Sequence, residues 1–197
     1  MQSIDLSILH FINVTLSAPW LDSVMIYLTN LQHWVPVYIA AFAFLIYKFR
    51  WKGVRMMIAC LILVGSADLL TNRVIKDLVA RPRPCSLTSD PSGLYSWIKT
   101  PDGPRQGYSF PSSHAVNNFA GVVFFILLFP KSRKLLWLLV PAFIVAMTRP
   151  YLGLHYPSDI AGGIIIGTGM AWGFTILYKK FEQLIARRSR SEPRNDV

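Results

Sequence analysis

A chain of 197 residues of which 53% are hydrophobic and 15% charged, with a mean hydropathy of +0.40, is too apolar for an ordinary water-soluble domain. Its formal net charge of +10 would suit a nucleic-acid binder, but the basic residues stand between apolar stretches rather than on one polar face. They fit membrane topology, and no nucleic-acid partner is expected.

The N-terminal segment has no basic start of the kind a signal peptide carries, and has Asp5 instead. Ile4 to Leu16 and Leu21 to Leu31 place apolar residues at helical spacing around a break at "SAP". They predict amphipathic helices over 1–31, the first interfacial and the second leading into a span. Apolar stretches follow at about Trp34 to Phe49, Val54 to Val74, Ala115 to Phe129, Leu135 to Met147 and Ile160 to Tyr178. Some are shorter than the roughly 20 residues a spanning helix needs, so they must extend into their flanks. The expected fold is all-α: an integral membrane helical bundle of five to six spans with an N-terminal interfacial helix, forming a single domain over 1–180. A basic tail, 181–197, follows, and its "RRSRSEPRNDV" is expected to be solvated. Cys60, inside an apolar run, and Cys85, after a Pro-rich turn, are not expected to pair.

Basic residues set the expected orientation. Lys48, Arg50, Lys52 and Arg55 precede the second span, Lys131, Arg133 and Lys134 precede the fourth, and Lys179, Lys180, Arg187, Arg188, Arg190 and Arg194 follow the fifth. In a five-span chain these fall on one side, which the positive-inside rule makes cytoplasmic. The 77–111 segment and the 149–157 turn then share the outer face.

Three polar clusters stand at that outer end. In "KDLVARPRP", Lys76 ends a span and Arg83 follows; the alternation at "RPRP" keeps Arg81 and Arg83 from facing the same way, so Arg83 is taken as a phosphate ligand and Arg81 as a rim or headgroup contact. Asp68 and Asn72, at steps of four before Lys76, give that helix a polar face; Asp68 either orients Lys76 through Asn72 or is a buried structural acid. In "PSSH", Pro111 fits the first position of a helix, where the amides and hydroxyls of Ser112 and Ser113 offer an anion site. His114 sits one residue deeper, with Asn117 and Asn118 spaced to hold its ring. The same residues also suit a plain polar cap with an interfacial histidine. In "TRPYLGLHYPSD", Arg149 closes a span, Gly153 lets the turn tighten, and Pro157 marks a helix start. Asp159 can there accept from one nitrogen of His155 and leave the other nucleophilic and pointed outward.

The spacing Lys76 to Arg83-Pro84, then "PSSH", then Thr148-Arg149, His155 and Asp159 resembles the three-part signature of the type 2 phosphatidic acid phosphatase superfamily, which includes vanadium haloperoxidases. The resemblance is to its bacterial membrane lipid phosphatase branch and covers about residues 50 to 178. Ser113 stands where the family usually has glycine, and Thr148 where it has serine; the serine can still lend its amide if its side chain points away. The resemblance implies that His155 attacks phosphorus and becomes a phosphohistidine, with Asp159 orienting it. It also implies that Lys76, Arg83, Ser112, Ser113 and Arg149 hold the phosphate, and that His114 is the general acid and base. No metal and no other cofactor is implied, and no obligate protein partner is evident.

The resemblance implies as substrate a membrane lipid phosphate in the bilayer of a bacterial inner (cytoplasmic) membrane, a phosphomonoester or diphosphate worked on at the periplasmic or extracellular face: undecaprenyl diphosphate, lipid A phosphate or phosphatidylglycerophosphate. The 85–107 loop, with Tyr95, Trp97, Lys99 and Arg105, is expected to cover the site and set specificity. The alternative is a lipid or phosphate transporter that binds without hydrolysis. A transporter would place its polar groups near the midplane, in repeated halves, and neither feature is visible.

Overall fold

A computed structural model of the chain describes residues 2–191, and all regular elements among them are helical. Helix α1 (Gln2–His10) runs through a π-helical turn, Phe11–Thr15, and α2 (Pro19–Thr29) follows at an angle of 114°. The turn is forced at Ala18, whose extended backbone precedes Pro19. Helix α3 (Leu31–Phe49) is capped by Asn30, whose side chain accepts from the Gln32 amide at 3.0 Å.

Helix α4 (Trp51–Leu70) continues through a second π-helical turn, Thr71–Ile75, into the short α5 (Lys76–Val79). Ala80 ends it in the left-handed region, at φ 48°, and Arg83, extended before Pro84, leads into a 3₁₀ turn over Pro84–Ser89. Helix α6 (Ser113–Leu128), a 3₁₀ turn (Arg133–Leu138) leading into α7 (Leu139–Tyr151), and α8 (Pro157–Ser191) complete the bundle. The five apolar stretches of the sequence thus all lie in helices. Among the described residues three helical segments are long and apolar enough to cross a membrane: Trp51–Val79, Arg133–Tyr151 and Pro157–Arg188. The count is four if the bent α1–α2 pair makes one span, and Ser113–Leu128 is a shorter apolar helix. Of the basic tail, the part to Ser191 continues α8, and 192–197 lie outside the described residues.

The core is built where α4, α6 and α8 meet. Met56, Ala59, Cys60, Leu63 and Ala67 face Val116, Ala120 and Phe124, with Ala171 and Tyr178 closing the third side. Because lipid tails are as apolar as these side chains, such a core is held by close packing rather than by escape from water. Close approach of α8 to α6 needs Gly167: a Cβ there would lie 2.4 Å from the Val116 carbonyl oxygen. The far end of the bundle gathers the basic segments. Arg55 Nε donates to Glu182 at 2.6 Å, and Lys179 Nζ donates to the Leu127 carbonyl at 2.9 Å.

A second, smaller cluster sits at the opposite end, where Cys85, Tyr151, Leu152 and Leu154 are covered by Ile12 of the π turn and by Leu21, Met25 and Ile26 of α2. The N-terminal helices therefore pack on the motif end of the bundle, with Leu9 and Asn13 buried. Cys60 and Cys85 are both free, as the sequence reading expects.

The glycines of α8 give a paired test. Gly167→Ala should lower stability by about 1–3 kcal/mol through overpacking. Gly169→Ala, whose Cβ meets nothing within 4 Å, should be neutral or raise stability by up to about 1 kcal/mol. Thermal unfolding of both variants in one detergent checks the order.

Candidate active site

The π turn before Lys76 widens the helix and brings Asn72 and Lys76 toward α6. Lys76 Nζ donates to Asn72 Oδ1 at 2.7 Å and to Ser113 Oγ at 3.0 Å, and Ser113 Oγ donates to Asn72 Oδ1 at 2.9 Å. The Ser113 side chain thus points at the lysine rather than away. Asp68 instead accepts from Asn117 at 2.9 Å, which favours its structural reading over the orientation of Lys76.

Beyond Ala80 the alternating backbone sends the two arginines opposite ways, yet both reach the same histidine–aspartate pair. Arg83, 8% exposed, donates from Nη1 to the Leu154 carbonyl at 3.1 Å and meets His155 Nε2 at 3.1 Å. Arg81 donates from Nη1 to Asp159 Oδ1 at 2.7 Å and from Nη2 to Asp5 Oδ2 at 2.7 Å. Arg81 is therefore more than a rim contact: the alternation holds, and polar partners lie on both sides of the extended segment.

In the second cluster the helix begins at Ser113, with Ser112 as N-cap, two residues later than a first-position Pro111 would put it. The Ser112 amide is not free: it donates to the Asp159 carbonyl at 3.1 Å. Its hydroxyl is buried with no partner. Asn118 does not hold the His114 ring but donates to the His114 carbonyl at 2.8 Å, and Asn117 is taken by Asp68. The ring of His114 turns to α2, with Nε2 3.3 Å from the Thr29 carbonyl. Arg149 Nη1 donates to the Thr29 hydroxyl at 2.8 Å, while its Nε is buried and unpartnered.

The third cluster is a tight turn closed by Gly153 at φ 70°, where a Cβ would lie 2.5 Å from the Lys99 carbonyl oxygen. His155 is 2% exposed and so faces inward, not outward. Its Nδ1 lies 3.6 Å from Asp159 Oδ2. A guanidinium only donates, so the nitrogen facing Arg83 must accept; the ring proton is then on Nδ1, toward the carboxylate. Burial, followed by the charges of Arg83 and Arg149 and opposed by Asp159, lowers the His155 pKa to about 4, keeping the ring neutral. Asp159 is fully buried; Oδ2 accepts the Tyr156 amide at 2.8 Å.

All eight residues singled out from the sequence stand at this end of the bundle, and each motif is joined to another by a direct contact. Unsatisfied buried donors at Arg149 and Ser112 are what an oxyanion would take, each costing about 1–3 kcal/mol if left unpaired. Among the described residues no group of three or more His, Cys, Asp or Glu side chains converges on one point. Sequence reasoning missed Asp5, Asn13 and Thr29. Asn13 Nδ2 donates to the Lys99 carbonyl at 2.8 Å and the Tyr151 carbonyl at 2.6 Å, and its Oδ1 accepts the Lys99 amide at 2.8 Å. Nothing local marks these residues, because their partners are far along the chain.

A family model described as the PAP2 superfamily matches residues 55–183. The chain is 33% identical over 194 residues to a lipid A 4'-phosphatase of Bacteroides thetaiotaomicron, covering 98% of this chain and 84% of that one. It is 28% identical over 186 residues to phosphatidylglycerophosphatase B of Bacillus subtilis, covering 86% and 83%. The crystal structure of a transmembrane PAP2-type phosphatidylglycerolphosphate phosphatase from Bacillus subtilis superposes with a TM-score of 0.64 at 27% identity, over 93% of this chain and 87% of that one.

Asn13 supplies a test of how the 97–101 segment is held. Asn13→Ala leaves the buried Tyr151 carbonyl and both Lys99 backbone groups without their partner, so the tie should weaken by about 1–3 kcal/mol per group left unpaired. Hydrogen–deuterium exchange should then rise at Lys99 and in the 97–101 segment, with the α4–α6–α8 core unchanged.

Proposed function

The chain belongs to the PAP2 superfamily, and on that footing we propose that it is a membrane lipid phosphatase acting through a phosphohistidine at His155. Its substrate is a phosphomonoester or diphosphate of an envelope lipid: undecaprenyl diphosphate, a lipid A phosphate or phosphatidylglycerophosphate. One observation carries the reading. Two histidines from different helix ends meet three cations in one place, His155 through Arg83 at 3.1 Å and His114 beside Arg149 at Thr29, with Lys76 tied to the same helix end as His114.

The chemistry follows from these positions. Arg83 exchanges the His155 ring for a phosphate oxygen as substrate binds, freeing the Nε2 lone pair. Nε2 forms a bond to phosphorus while the bond to the leaving oxygen breaks, and His114 gives that oxygen a proton. Water then attacks phosphorus as His114 takes its proton; the N–P bond breaks and inorganic phosphate leaves with neutral His155 restored. Lys76, Arg83, Arg149, the Ser112 hydroxyl and the Ser113 amide stabilise the oxygens of the transition state. Asp159, 3.6 Å from a Nδ1 that has no other partner, closes on the Nδ1 proton as the ring gains charge and supports the positive ring of the intermediate.

In the membrane, α3, α4–α5, α6, the 3₁₀ turn with α7, and α8 form five spans, with α1–α2 lying at the outer interface or counting as a sixth. The Arg55–Glu182 and Lys179–Leu127 contacts support one basic, cytoplasmic end, opposite the site. The site then faces the periplasm or exterior.

Purified protein should release phosphate from at least one of the three lipids, vanadate should inhibit, and His155→Ala should lose at least roughly a thousandfold in kcat with unchanged elution and unfolding midpoint. Undiminished release by that variant would sink the mechanism. The acid side of the profile is a second check. His155 is nucleophilic while neutral, so kcat/KM, corrected for substrate protonation, should fall only as pH drops through about 4. Asp159→Asn removes the anion that favours the imidazolium, so the residual activity should fall at still lower pH. A midpoint near the ordinary imidazole value of 6.5 would contradict the assignment.

A further inference from the structure

Asp159 does its work at a carboxylate oxygen that faces His155 Nδ1 at 3.6 Å, and that oxygen's aim is fixed from the other side. Arg81 Nη1 donates to Asp159 Oδ1 at 2.7 Å and to Ser158 Oγ at 2.7 Å. The guanidinium carbon also stands over the Tyr156 ring, 3.9 Å from its centre, a cation–π contact that helps hold it there. Its remaining edge, Nη2, donates to Asp5 Oδ2 at 2.7 Å. Asp5 in turn accepts the Ser158 amide in the first turn of α8 at 3.0 Å and also accepts the Ser158 hydroxyl. Asp5 is 8% exposed and comes from α1, more than 150 positions away in the chain. Burial works against the Arg81 charge, but its two carboxylates outweigh it and hold the guanidinium pKa above the ordinary value.

The order of charges matters more than their number. Arg81 alone against Asp159 would fix the carboxylate but also neutralise it, leaving little negative potential for the ring of a phosphohistidine. Arg81 removed would leave Asp159 buried and short of a donor. With Asp5 on the far edge, the three groups sum to one negative charge, and Asp159 is clamped without being cancelled.

We infer that Asp5 and Arg81 are positioning residues of the phosphoryl-transfer site: Asp5, carried by the N-terminal helix, shares the Arg81 guanidinium so that Asp159 is held toward His155 with its charge intact. The inference rests on the phosphatase reading above and extends it to a segment outside the family signature. Neither residue touches the phosphate, so the Lys76, Arg83 and Arg149 ligands stay in place when they change.

The test is a double-variant cycle on the full-length protein in detergent micelles, using whichever of phosphatidylglycerophosphate, undecaprenyl diphosphate or lipid A the wild type hydrolyses fastest. Asp5→Asn keeps an acceptor for the Ser158 amide and removes the charge; it should lower kcat roughly tenfold with KM within about twofold, and Arg81→Gln should lower kcat further. In the Arg81→Gln background, Asp5→Asn should add less than about twofold, because its effect passes through the arginine. Arg81→Lys, which keeps the charge but cannot fork between two carboxylates, should fall between wild type and Arg81→Gln, and replaces it in the cycle if the latter does not fold. Wild-type kcat in Asp5→Asn, an equal loss in both backgrounds, or a change confined to KM would each overturn the assignment. These outcomes are separate from failure of the phosphatase reading. Wild type inert on all three lipids, or unaffected by His155→Ala, defeats that reading, whereas an enzyme that needs His155 but ignores Asp5→Asn defeats only the pair.

Discussion

A carboxylate with no exposed surface, at the mouth of a helix in an apolar bundle, is the constraint around which this site is built. Burying an ion in such surroundings costs several kcal/mol unless its lone pairs are met by well-placed donors. Asp159 meets that demand with Arg81 from the first motif on Oδ1 and the Tyr156 amide on Oδ2, while its backbone carbonyl separately accepts the Ser112 amide of the second motif. The positive end of α8 adds to these. Satisfying this anion therefore draws the first motif segment onto the third, and the backbone of the same residue holds the second. The turn that makes this geometry possible runs through Gly153, whose position above Lys99 admits no side chain.

What holds the frame is of a different kind. Between α6 and α8 there is little gain from hiding apolar surface, since lipid offers the same surroundings, so closeness itself supplies the attraction. Gly167 lets the backbones nearly touch, and at the N-terminal ends the same approach is continued by the Ser112–Asp159 bond. Helix ends carrying Ser112, His114 and Asp159 are thereby held close to one another by backbone contact rather than by long side chains. The N-terminal helices close the other side. Asp5, Asn13 and Thr29 reach the third motif, the outer loop and the His114–Arg149 pair respectively.

The spans and the site were legible in the sequence to different depths. Apolar runs and proline-marked helix starts are local signals, and each of the five runs is a helix; the number that cross is not set by hydropathy alone, because Ser113–Leu128 is short and α1–α2 is sharply bent. The motif residues were legible because their spacing is fixed along the chain. Their partners were not, since periodicity says which residues share a face and nothing about what packs there. Asn117 and Asn118 show the limit: the i+3 and i+4 spacing to His114 is real, but Asp68 on α4 competes for one, and the other prefers the helix carbonyl. Arg81 shows the converse. Its direction away from Arg83 was read correctly, but a helix from the chain's start supplies a buried carboxylate on that side.

Ser113 takes on a different meaning once Asn72 is seen beside it. The family pattern has glycine there, and a backbone amide is all that glycine can offer. Here the hydroxyl accepts from Lys76 and donates to Asn72, while Lys76 also donates to Asn72, closing a triangle in which the amide oxygen uses both lone pairs. Two of the three ammonium protons are thereby spoken for. The lysine's aim is then set by α6 as well as by its own helix. The departure from glycine thus ties the first motif to the second by one hydrogen bond from the lysine ammonium and one neutral bond to Asn72, as Arg81 ties the first to the third by an ion pair.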